Sequence, residues 1–364
     1  MSIALQATVP PPLAHSQATR EAPGHLNPLE HPGWDSLVAA HPQSSFFHSS
    51  AWARVLHETY GHQPVDFCRF ANGRLEELLP VMEVASRLTG RRGVSLPFTD
   101  CCPALGPEGR SIGPLYELAM EHGRGRGWRY LECRGSDSDW AGASPSLGFY
   151  GHEIKLRAGA QALFQHCDSA VRRGIRKGQA AGLSAEFTNR PESMRAFYAL
   201  HCRTRHRHGV PPQPFRFFES IQRHVLAAGL GAVEVVQFEG RVVAAAVFFH
   251  TGSRVHYKFG ASDPGFHSMR PNNLLMWEGM KRYAEAGFEV LHLGRTSLAN
   301  EGLRHFKLGF GAAEERIEYR KYDFRERRFV ADQDRAEGCF NTMFRCLPSP
   351  LVRLAGRLLY PHLS

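Results

Sequence analysis

The chain has 364 residues, of which 43% are hydrophobic, and its 44 basic and 35 acidic residues give a formal net charge of +9 at pH 7. This apolar content excludes a generally disordered chain, and the length suggests two domains. Without an apolar run of about 18 residues we expect no spanning helix, and without a basic, then apolar N-terminus no secretory signal. Eight cysteines in a chain this long do not make a disulfide scaffold, so we expect a reduced, cytoplasmic protein.

The first half predicts a tail followed by alternating helices and strands. Residues 1–27 are rich in proline and small polar residues without periodicity, which indicates a flexible tail. The apolar spacing then predicts a helix over 51–60, strands over 65–70 and 77–86, a helix over 112–122, and strands over 128–133 and 149–156.

The second half repeats a similar order of elements. Its predicted elements are a basic helix over 166–180, a strand over 184–188, helices over 192–207 and 214–228, strands over 232–238, 241–250 and 254–261, a helix over 272–286, a strand over 288–294, a helix over 301–308, a strand over 315–324 and further helix over 333–360. Although no sequence repeat is visible, the shared order hints at two copies of one architecture.

The start of the helix over 272–286 is the first candidate ligand site. We expect Asn272 or Asn273 to cap this helix, and Pro271 suits helix entry. The free N–H groups of a helix start bind anions, and Arg270 would reinforce that attraction. The alternative is an ordinary capped helix.

The second candidate is the polar segment that follows the strand ending at Gly294. Strand ends in open α/β sheets are common ligand sites. Lys307 lies there between Phe306 and Phe310 and is one of only six lysines. It could polarise a carbonyl or hold a phosphate; the alternative is a surface lysine whose stem covers the aromatic rings.

The third candidate is the basic helix, where Arg172 and Arg176 are four residues apart, as are Arg173 and Lys177. Such a band could grip a pyrophosphate or a nucleic-acid backbone, or it could simply be a solvated face. We predict no metal site, because the histidines near Cys202 match no common zinc spacing. Walker A, Rossmann and nucleophile-elbow patterns are missing too, which disfavours kinases, dehydrogenases and α/β-hydrolases.

Three short segments together resemble a known family: Asn272-Asn273, Gly294-Arg295-Thr296, and Phe306-Lys307 with Phe310-Gly311. They resemble the C-terminal half of the Fem family of peptidoglycan-bridge aminoacyltransferases. The chain is more closely similar to FemAB-like proteins of exopolysaccharide systems and to CelD-type acetyltransferase-like proteins. The basic helix, the segment 208–212 and the segment 49–52 also fit, so the resemblance covers roughly residues 30–330.

The resemblance implies a mixed α/β (α+β) protein with two tandem GNAT-like domains, each a mostly antiparallel sheet flanked by helices. We place the domains at 28–155 and 156–330, after the tail 1–27 and before a helical C-terminal extension, 331–364. The implied activity is the transfer of an acyl or aminoacyl group onto an amine of a cell-envelope or exopolysaccharide-related acceptor, either a small molecule or a lipid-linked glycan or peptide.

The implied donor is acyl-CoA or aminoacyl-tRNA, acting as a co-substrate rather than as a bound cofactor. The Q/R-x-x-G-x-G/A pattern that holds acyl-CoA in ordinary GNAT enzymes is missing, which argues against standard acetyl-CoA binding. The long coiled-coil arm of some Fem enzymes is missing as well, which puts tRNA recognition by such an arm in doubt.

From these segments we assign hypothetical roles. Lys307 would stabilise the oxyanion, Arg295 would position an anionic group, and Tyr257 or His305 would handle protons. The expected donor- and substrate-binding residues are Arg270, Asn272, Asn273, Arg295, Thr296, Arg172 and Arg176.

Two other functions stay open: a non-catalytic binding or scaffold protein that keeps the fold, and a nucleic-acid binder that uses the basic helix. The C-terminal stretch 351–360 is basic and amphipathic. It either packs against the second domain or makes a peripheral contact with the membrane surface.

Overall fold

The computed structural model describes residues 21–108, 110–135, 140, 142–332 and 339–363. The α-helices that it shows are α1 (Trp34–Ala39), α2 (Ser50–Tyr60), α3 (Gly113–Arg126), α4 (Ala160–His166), α5 (Ser169–Ala180), α6 (Pro191–Arg207), α7 (Phe215–Ile221), α8 (Pro271–Glu285), α9 (Glu301–Leu308), α10 (Cys339–Cys346) and α11 (Ser349–Leu359).

The strands are β1 (Gly24–Leu26), β2 (Gln63–Pro64), β3 (Asp66–Ala71), β4 (Arg74–Leu79), β5 (Met82–Ser86), β6 (Gly90–Val94), β7 (Tyr130–Arg134), β8 (Leu147–Lys155), β9 (Ser184–Thr188), β10 (Gly231–Phe238), β11 (Arg241–Thr251), β12 (Arg254–Ser262), β13 (Val290–His292), β14 (Thr296–Ser297), β15 (Ala313–Asp323) and β16 (Arg328–Phe329).

One large sheet runs through both halves of the chain. Its strand order is β2-β5-β6-β7-β15-β8-β13-β12-β11-β10-β9, with β14 paired to β8 and β16 paired to β15. The strands β1, β3 and β4 form a separate three-stranded sheet. The mixed α/β class expected from the sequence is confirmed.

Each half contains one parallel strand pair whose members are joined through a helix. In the first half β6 and β7 are parallel with α3 between them, and in the second half β12 and β13 are parallel with α8 between them. The other paired strands of the described chain are antiparallel. This repeated unit agrees with two GNAT-like copies of one architecture.

The two halves exchange strands where they meet. The first-half strand β7 pairs with β15 from the second half, and the second-half strand β13 pairs with β8 from the first. The exchanged strands are β8 and β15, and they pair with each other over seven residue pairs, Ala313↔Glu153 to Tyr319↔Leu147. The sheet is therefore continuous across the expected domain boundary at residue 155.

Strand β11 shows why the centre of this sheet is stable. Its residues 243–249 are apolar and fully buried, and neighbouring side chains alternate between the two faces of the sheet. Ala245, Val247 and Phe249 join a core with Trp52 and Phe46 of the first half. Ala244, Ala246 and Phe248 join the core under α5 and α8.

The structure corrects several expected element bounds. The tail was expected to extend to residue 27, but Gly24–Leu26 pairs with β3, while residues 1–20 lie outside the described part. The expected strand over 77–86 is two strands, β4 and β5, and the strand over 288–294 shortens to β13. The basic helix begins at Ser169, because α4 is a separate helix. Among the described residues, every helix falls short of the length and apolarity that crossing a bilayer requires.

Candidate active site

The parallel strands β12 and β13 separate after three residue pairs, the last being His256↔His292. The chain then turns at Gly294, which has a φ of +72°. A Cβ at this position would lie 3.3 Å from Oδ2 of Asp100 and 3.6 Å from the carbonyl oxygen of Tyr257. Glycine suits such a conformation so close to its neighbours, and the Asp100 carboxylate lies beside the opening between the strands.

Asp100 forms a buried ion pair with Lys258. Nζ of Lys258 lies 3.0 Å from Oδ2 of Asp100, and only 4% of the lysine side chain is exposed. A bulge in the β11–β12 pairing leaves Lys258 without a partner in the register, so its ammonium lies over the rings of Phe47 and Phe259. Burial alone would raise the pKa of Asp100, but Lys258 and Arg295 outweigh it and hold this pKa at about 2.

Lys307 reaches the same opening from α9, whose first turn is capped by the side chain of Asn300. The lysine is 3% exposed, and its Nζ donates hydrogen bonds to the carbonyl oxygens of Gly294 (2.8 Å) and Arg295 (3.2 Å). Burial lowers its pKa to about 8, against the opposing attraction of Asp100. The expected alternative of a surface lysine is therefore wrong.

Arg295 links the opening to strand β15. Its guanidinium lies 4.2 Å from the ring centroid of Phe149 and donates to the hydroxyl of Tyr319 at 2.7 Å. That hydroxyl in turn donates to the carbonyl oxygen of Asp100 at 2.6 Å. The neighbouring Thr296 is 1% exposed and pairs with Tyr150, so it lies under the surface rather than in the opening.

Tyr257 lies on β12 at the edge of the opening. Its ring packs 5.4 Å from that of Phe248, and its hydroxyl occupies the space above Gly260, where a Cβ would collide with it. Burial and the nearby Glu234 raise the pKa of Tyr257. At neutral pH the hydroxyl keeps its proton, so it can donate to a reacting oxygen but is a poor base.

A cavity of about 240 Å³ adjoins the opening and takes its walls from both halves of the chain. Its charged and titratable lining includes Asp100, Glu153, Arg254, His256, His292 and Glu315. Burial lowers the pKa of His292 to about 4 and also lowers that of His256, so both rings are neutral at pH 7. The lining therefore combines carboxylates with two neutral imidazoles and the guanidinium groups of Arg254 and Arg316, and its carboxylates suit an incoming amine or ammonium.

Glu153, His292 and Glu315 lie close enough to hold a metal ion, with ligand atoms within 4.8 Å of one another. Nδ1 of His292 accepts a hydrogen bond from the Gly294 N–H at 3.0 Å, so the neutral ring carries its proton on Nε2. In that tautomer Nε2 carries a proton on the side of Glu315, 3.9 Å away, and has no free lone pair for a metal ion. The expected absence of a metal site stays a prediction.

The structure does not bring His305 to the opening. Its side chain is 79% exposed, and its Nδ1 is bound to the carbonyl oxygen of Glu301 one turn earlier. Two residues along an α-helix correspond to a rotation of about 200°, so His305 lies nearly opposite the buried Lys307. The expected proton-handling role of His305 has no geometric support.

The start of α8 also differs from the expected cap. Arg270 occupies the cap position in a left-handed conformation (φ +61°) and provides no side-chain cap, while Pro271 is the first helical residue. The amide of Asn273 instead packs on Gly174 of α5, where a Cβ would lie 2.9 Å from it. Asn272 is half-buried and Arg270 is exposed, so the cap predicted for Asn272 or Asn273 is wrong.

Arg172 and Arg176 lie in a different groove, between α4, α5 and α8. Arg172 donates to the carbonyl oxygens of Gln165 and Cys167, and Arg176 lies 5.4 Å from the ring centroid of Phe164. Trp277 and Lys281 complete a cavity of about 650 Å³. The predicted donor-binding residues are therefore divided between the strand opening, the start of α8 and this cationic aromatic groove.

Sequence reasoning missed Asp100, Lys258, His256 and His292. The loop that carries Asp100 shows no periodicity, and its partner lies 158 residues away along the chain. One signal was available: Lys258 is one of six lysines and lies in the middle of a predicted strand. A lysine at such a position requires a buried partner.

Comparisons with known proteins agree with this geometry. Residues 165–319 match a family model described as an acetyltransferase (GNAT) domain. No curated protein matches the chain by sequence. Among solved structures, the chain is similar to FemX, with 14% identity, a TM-score of 0.66, and coverage of 81% of this chain and 96% of that one.

Two further structures are similar at lower scores. One is a tandem GNAT protein from the clavulanic acid biosynthesis pathway (12% identity, TM-score 0.51, 84% of this chain and 98% of that one). The other is the C-terminal domain of a putative lysylphosphatidylglycerol synthetase from Agrobacterium fabrum (15% identity, TM-score 0.51, 79% and 89%). Identities this low establish the fold alone. The chain has the fold that FemX and the tandem GNAT protein share, and its residues 165–319 match the GNAT-domain model.

Proposed function

We propose that the protein is an N-acyltransferase that moves an acyl or aminoacyl group onto an amine of a cell-envelope or exopolysaccharide-related acceptor. The observation that carries the proposal is the opening between β12 and β13, with Lys307 and the Asp100–Lys258 pair beside it. Separated strands present unpaired backbone groups to a donor, and a buried ammonium is suited to a developing oxyanion. The solved structures similar in fold, FemX and the lysylphosphatidylglycerol synthetase domain, support acyl or aminoacyl transfer.

The acceptor amine would enter the cavity of about 240 Å³ between the halves. Its ammonium form is attracted by Asp100, Glu153 and Glu315, and it must lose a proton before it attacks the donor carbonyl. The neutral imidazoles of His256 and His292 are weak bases here, so we assign the rate mainly to positioning and to oxyanion stabilisation. The ammonium proton would pass to solvent before attack. The C–N bond would form as the bond from the acyl carbon to the leaving group breaks, and Tyr257 would donate its proton to that group and recover one from the attacking nitrogen.

The donor would carry phosphate groups. Arg176 and Lys281 lie beside the rings of Phe164 and Trp277 in the groove between α4, α5 and α8. This combination suits a nucleotide, whose base can stack and whose phosphates pair with cations. Both acyl-CoA and aminoacyl-tRNA contain a base and phosphate groups, so the proposal covers both as donors.

A thermal-shift screen tests the proposal. Acetyl-CoA, longer acyl-CoAs, aminoacyl-tRNA and UDP-sugar-peptide precursors are added to the wild type, Lys307→Ala and Arg295→Ala, with the exposed Arg325→Ala as a matched control. A ligand at 100 times its Kd adds about 2.7 kcal/mol of stability. We expect one donor class to stabilise the wild type and the control, and to stabilise neither Lys307→Ala nor Arg295→Ala.

Transfer to an amine is then measured with that donor, and Asp100→Asn is expected to lower the rate by weakening acceptor binding. A chain that binds no donor, or that binds one without transferring its acyl group, has the scaffold function instead. Binding of arbitrary RNA and DNA with strong salt dependence would favour the nucleic-acid function.

A further inference from the structure

Exposed apolar side chains are concentrated near the C-terminal end of the described chain. Six of the eight large hydrophobic side chains that are exposed among the described residues lie there: Met343, Leu351, Leu354, Leu358, Leu359 and Leu363. Single exposed leucines are ordinary on protein surfaces, but a cluster of this kind marks an interaction surface.

Helix α11 is firmly docked by its opposite face. Val352, Gly356 and Tyr360 are buried, and a Cβ at Gly356 would collide with the carbonyl oxygen of Pro212. The hydroxyl of Tyr360 accepts a hydrogen bond from Arg205 at 2.7 Å. The helix has therefore already satisfied the intramolecular packing expected from its sequence.

The outer face of α11 is formed by Leu351, Leu354 and Leu358, which are 50%, 50% and 61% exposed. Their spacing of three and four residues places them on one side of the helix, turned away from the docked face. Within the described part of the chain, apolar side chains in this direction stay uncovered.

A distant segment extends the same surface. Leu88, in the turn between β5 and β6, is 73% exposed. Three hydrogen bonds hold this segment against His362: one between Ser86 Oγ and Nδ1 (2.9 Å), and two that Thr89 and Arg92 donate to the carbonyl oxygen (3.2 and 2.7 Å). Leu88 and Leu363 therefore lie on the same part of the molecule although 275 residues separate them in sequence.

Positive charge accompanies these leucines. Residues 339–364 contain Arg345, Arg353 and Arg357 but no aspartate or glutamate, and Arg87 precedes Leu88. Arg353 and Arg357 are exposed and lie along one edge of the outer face of α11. Long arginine stems allow the guanidinium groups to reach polar headgroups while the leucines enter an apolar layer.

We propose that this leucine surface, made of Leu88, Leu351, Leu354, Leu358 and Leu363, docks the protein on a bilayer that contains anionic phospholipids. An amphipathic helix with leucines on one side and arginines at the edge lies in the plane of a membrane interface. A second copy of the chain fits less well, because a symmetric contact would bring like charges of the two arginine edges together.

The docked face of this C-terminal segment packs near the site. The ring of Tyr360 lies 5.5 Å from that of Phe98, two residues before Asp100. The docked helix thus packs on the segment that delivers Asp100 to the strand opening. Membrane docking goes beyond the proposed reaction and does not depend on which donor or acceptor the site uses.

Vesicle flotation of the full chain tests the proposal without any activity assay. The probes are pure phosphatidylcholine vesicles and vesicles with one third phosphatidylglycerol, at low and at physiological salt. We expect the wild type to float with the anionic vesicles and to bind them at least tenfold more tightly than the neutral ones. Leu351→Ser/Leu354→Ser/Leu358→Ser should lose at least tenfold in binding, and Arg353→Gln/Arg357→Gln should lose the preference for anionic lipid.

Leu303→Ser is the matched control, because this leucine is exposed on α9, outside the surface, and should bind like the wild type. Circular dichroism establishes that each variant is folded. Failure of the folded wild type to float with anionic vesicles overturns the proposal, as does unchanged binding by the triple leucine variant. A dimer in solution that the triple variant abolishes, together with no flotation, assigns the surface to a second copy instead.

Discussion

Lys307 combines deep burial with a pKa shifted towards neutrality. Because burial lowers this pKa to about 8, the ammonium is present at pH 7 and is lost as the pH rises above 8. We expect the transfer rate to fall as the pH rises above 8 if the ammonium stabilises the oxyanion. Lys307→Ala should lower kcat by about 10²–10³, the range for removal of one oxyanion donor.

The matched variant is Lys307→Arg, whose guanidinium stays charged throughout the accessible pH range. If it retains activity, its rate should no longer fall near pH 8. A wild-type profile that stays flat to pH 10, or an alanine variant with unchanged kcat, contradicts the oxyanion role. Lys307 also donates two hydrogen bonds to the carbonyl oxygens of Gly294 and Arg295, and their loss could disturb the fold or substrate binding. Circular dichroism and KM report such a disturbance, and kcat reports the loss of oxyanion stabilisation.

Glu234 is a second residue with a measurable consequence. It is fully buried on β10, and neither of its carboxylate oxygens has a hydrogen-bond partner among the described residues. Burial raises its pKa well above the ordinary value of 4.5, and the charge of Glu278 raises it further. The native state therefore holds a proton that the unfolded state releases.

The sign follows from proton linkage: stability falls as the pH rises from about 4.5 towards the native pKa. We expect Glu234→Gln to remove that slope, so its stability relative to the wild type should increase by about 1.4 kcal/mol per pH unit in this window. Urea unfolding at pH 5, 6 and 7 measures the difference. A difference that does not change with pH contradicts a protonated Glu234.

At the scale of the elements, the packing of α11 on residues 210–212 depends on Gly356. A Cβ there would collide with the carbonyl oxygen of Pro212, whereas nothing lies within 4 Å of a Cβ at Gly125 in α3. Gly356→Ala should destabilise the protein by about 1–3 kcal/mol, while Gly125→Ala should stabilise it by up to about 1 kcal/mol. Chemical denaturation of both variants checks the pair, and equal effects would refute the close contact.

Local pattern predicted the elements well where the period was strong. The strand over 184–188 and the helix over 301–308 have the observed bounds. Short elements such as β6, with the sequence GRRGV, escaped because charged and glycine residues hide the alternation. The error at His305 came from choosing a residue by its chemistry without asking which face of α9 it occupies.

The ion pair of Asp100 with Lys258 was beyond local reasoning for another reason. Its partners belong to different halves, and only the tertiary fold brings them together. The exchange of β8 and β15 was beyond local reasoning for the same reason. A sequence pattern identifies strands, but it does not identify which strands pair with each other.

For the whole molecule, this exchange predicts that the halves do not fold separately. A fragment of residues 156–364 lacks β8, which leaves the edges of β13 and β15 unpaired. It also loses Trp52 and Phe46 from the core that they share with Phe249. We expect this fragment to aggregate or to show no cooperative transition, and the full chain to unfold in one.

Coexpression with residues 1–155 is the matching control and should restore a soluble, cooperatively folding complex. Size-exclusion chromatography and thermal unfolding followed by circular dichroism measure both results. A monomeric fragment of 156–364 with its own sharp transition would show that the halves are independent folding units.

The exchange also has a consequence for synthesis. Strand β7 is complete when Arg134 leaves the ribosome, but its neighbour β15 begins only at Ala313. At roughly 5–20 residues per second, the edge of β7 waits on the order of ten to forty seconds for its partner. During that interval a nascent chain exposes a strand edge that can pair with another chain, so slow translation between the two strands lengthens the period in which the unfinished protein depends on chaperones.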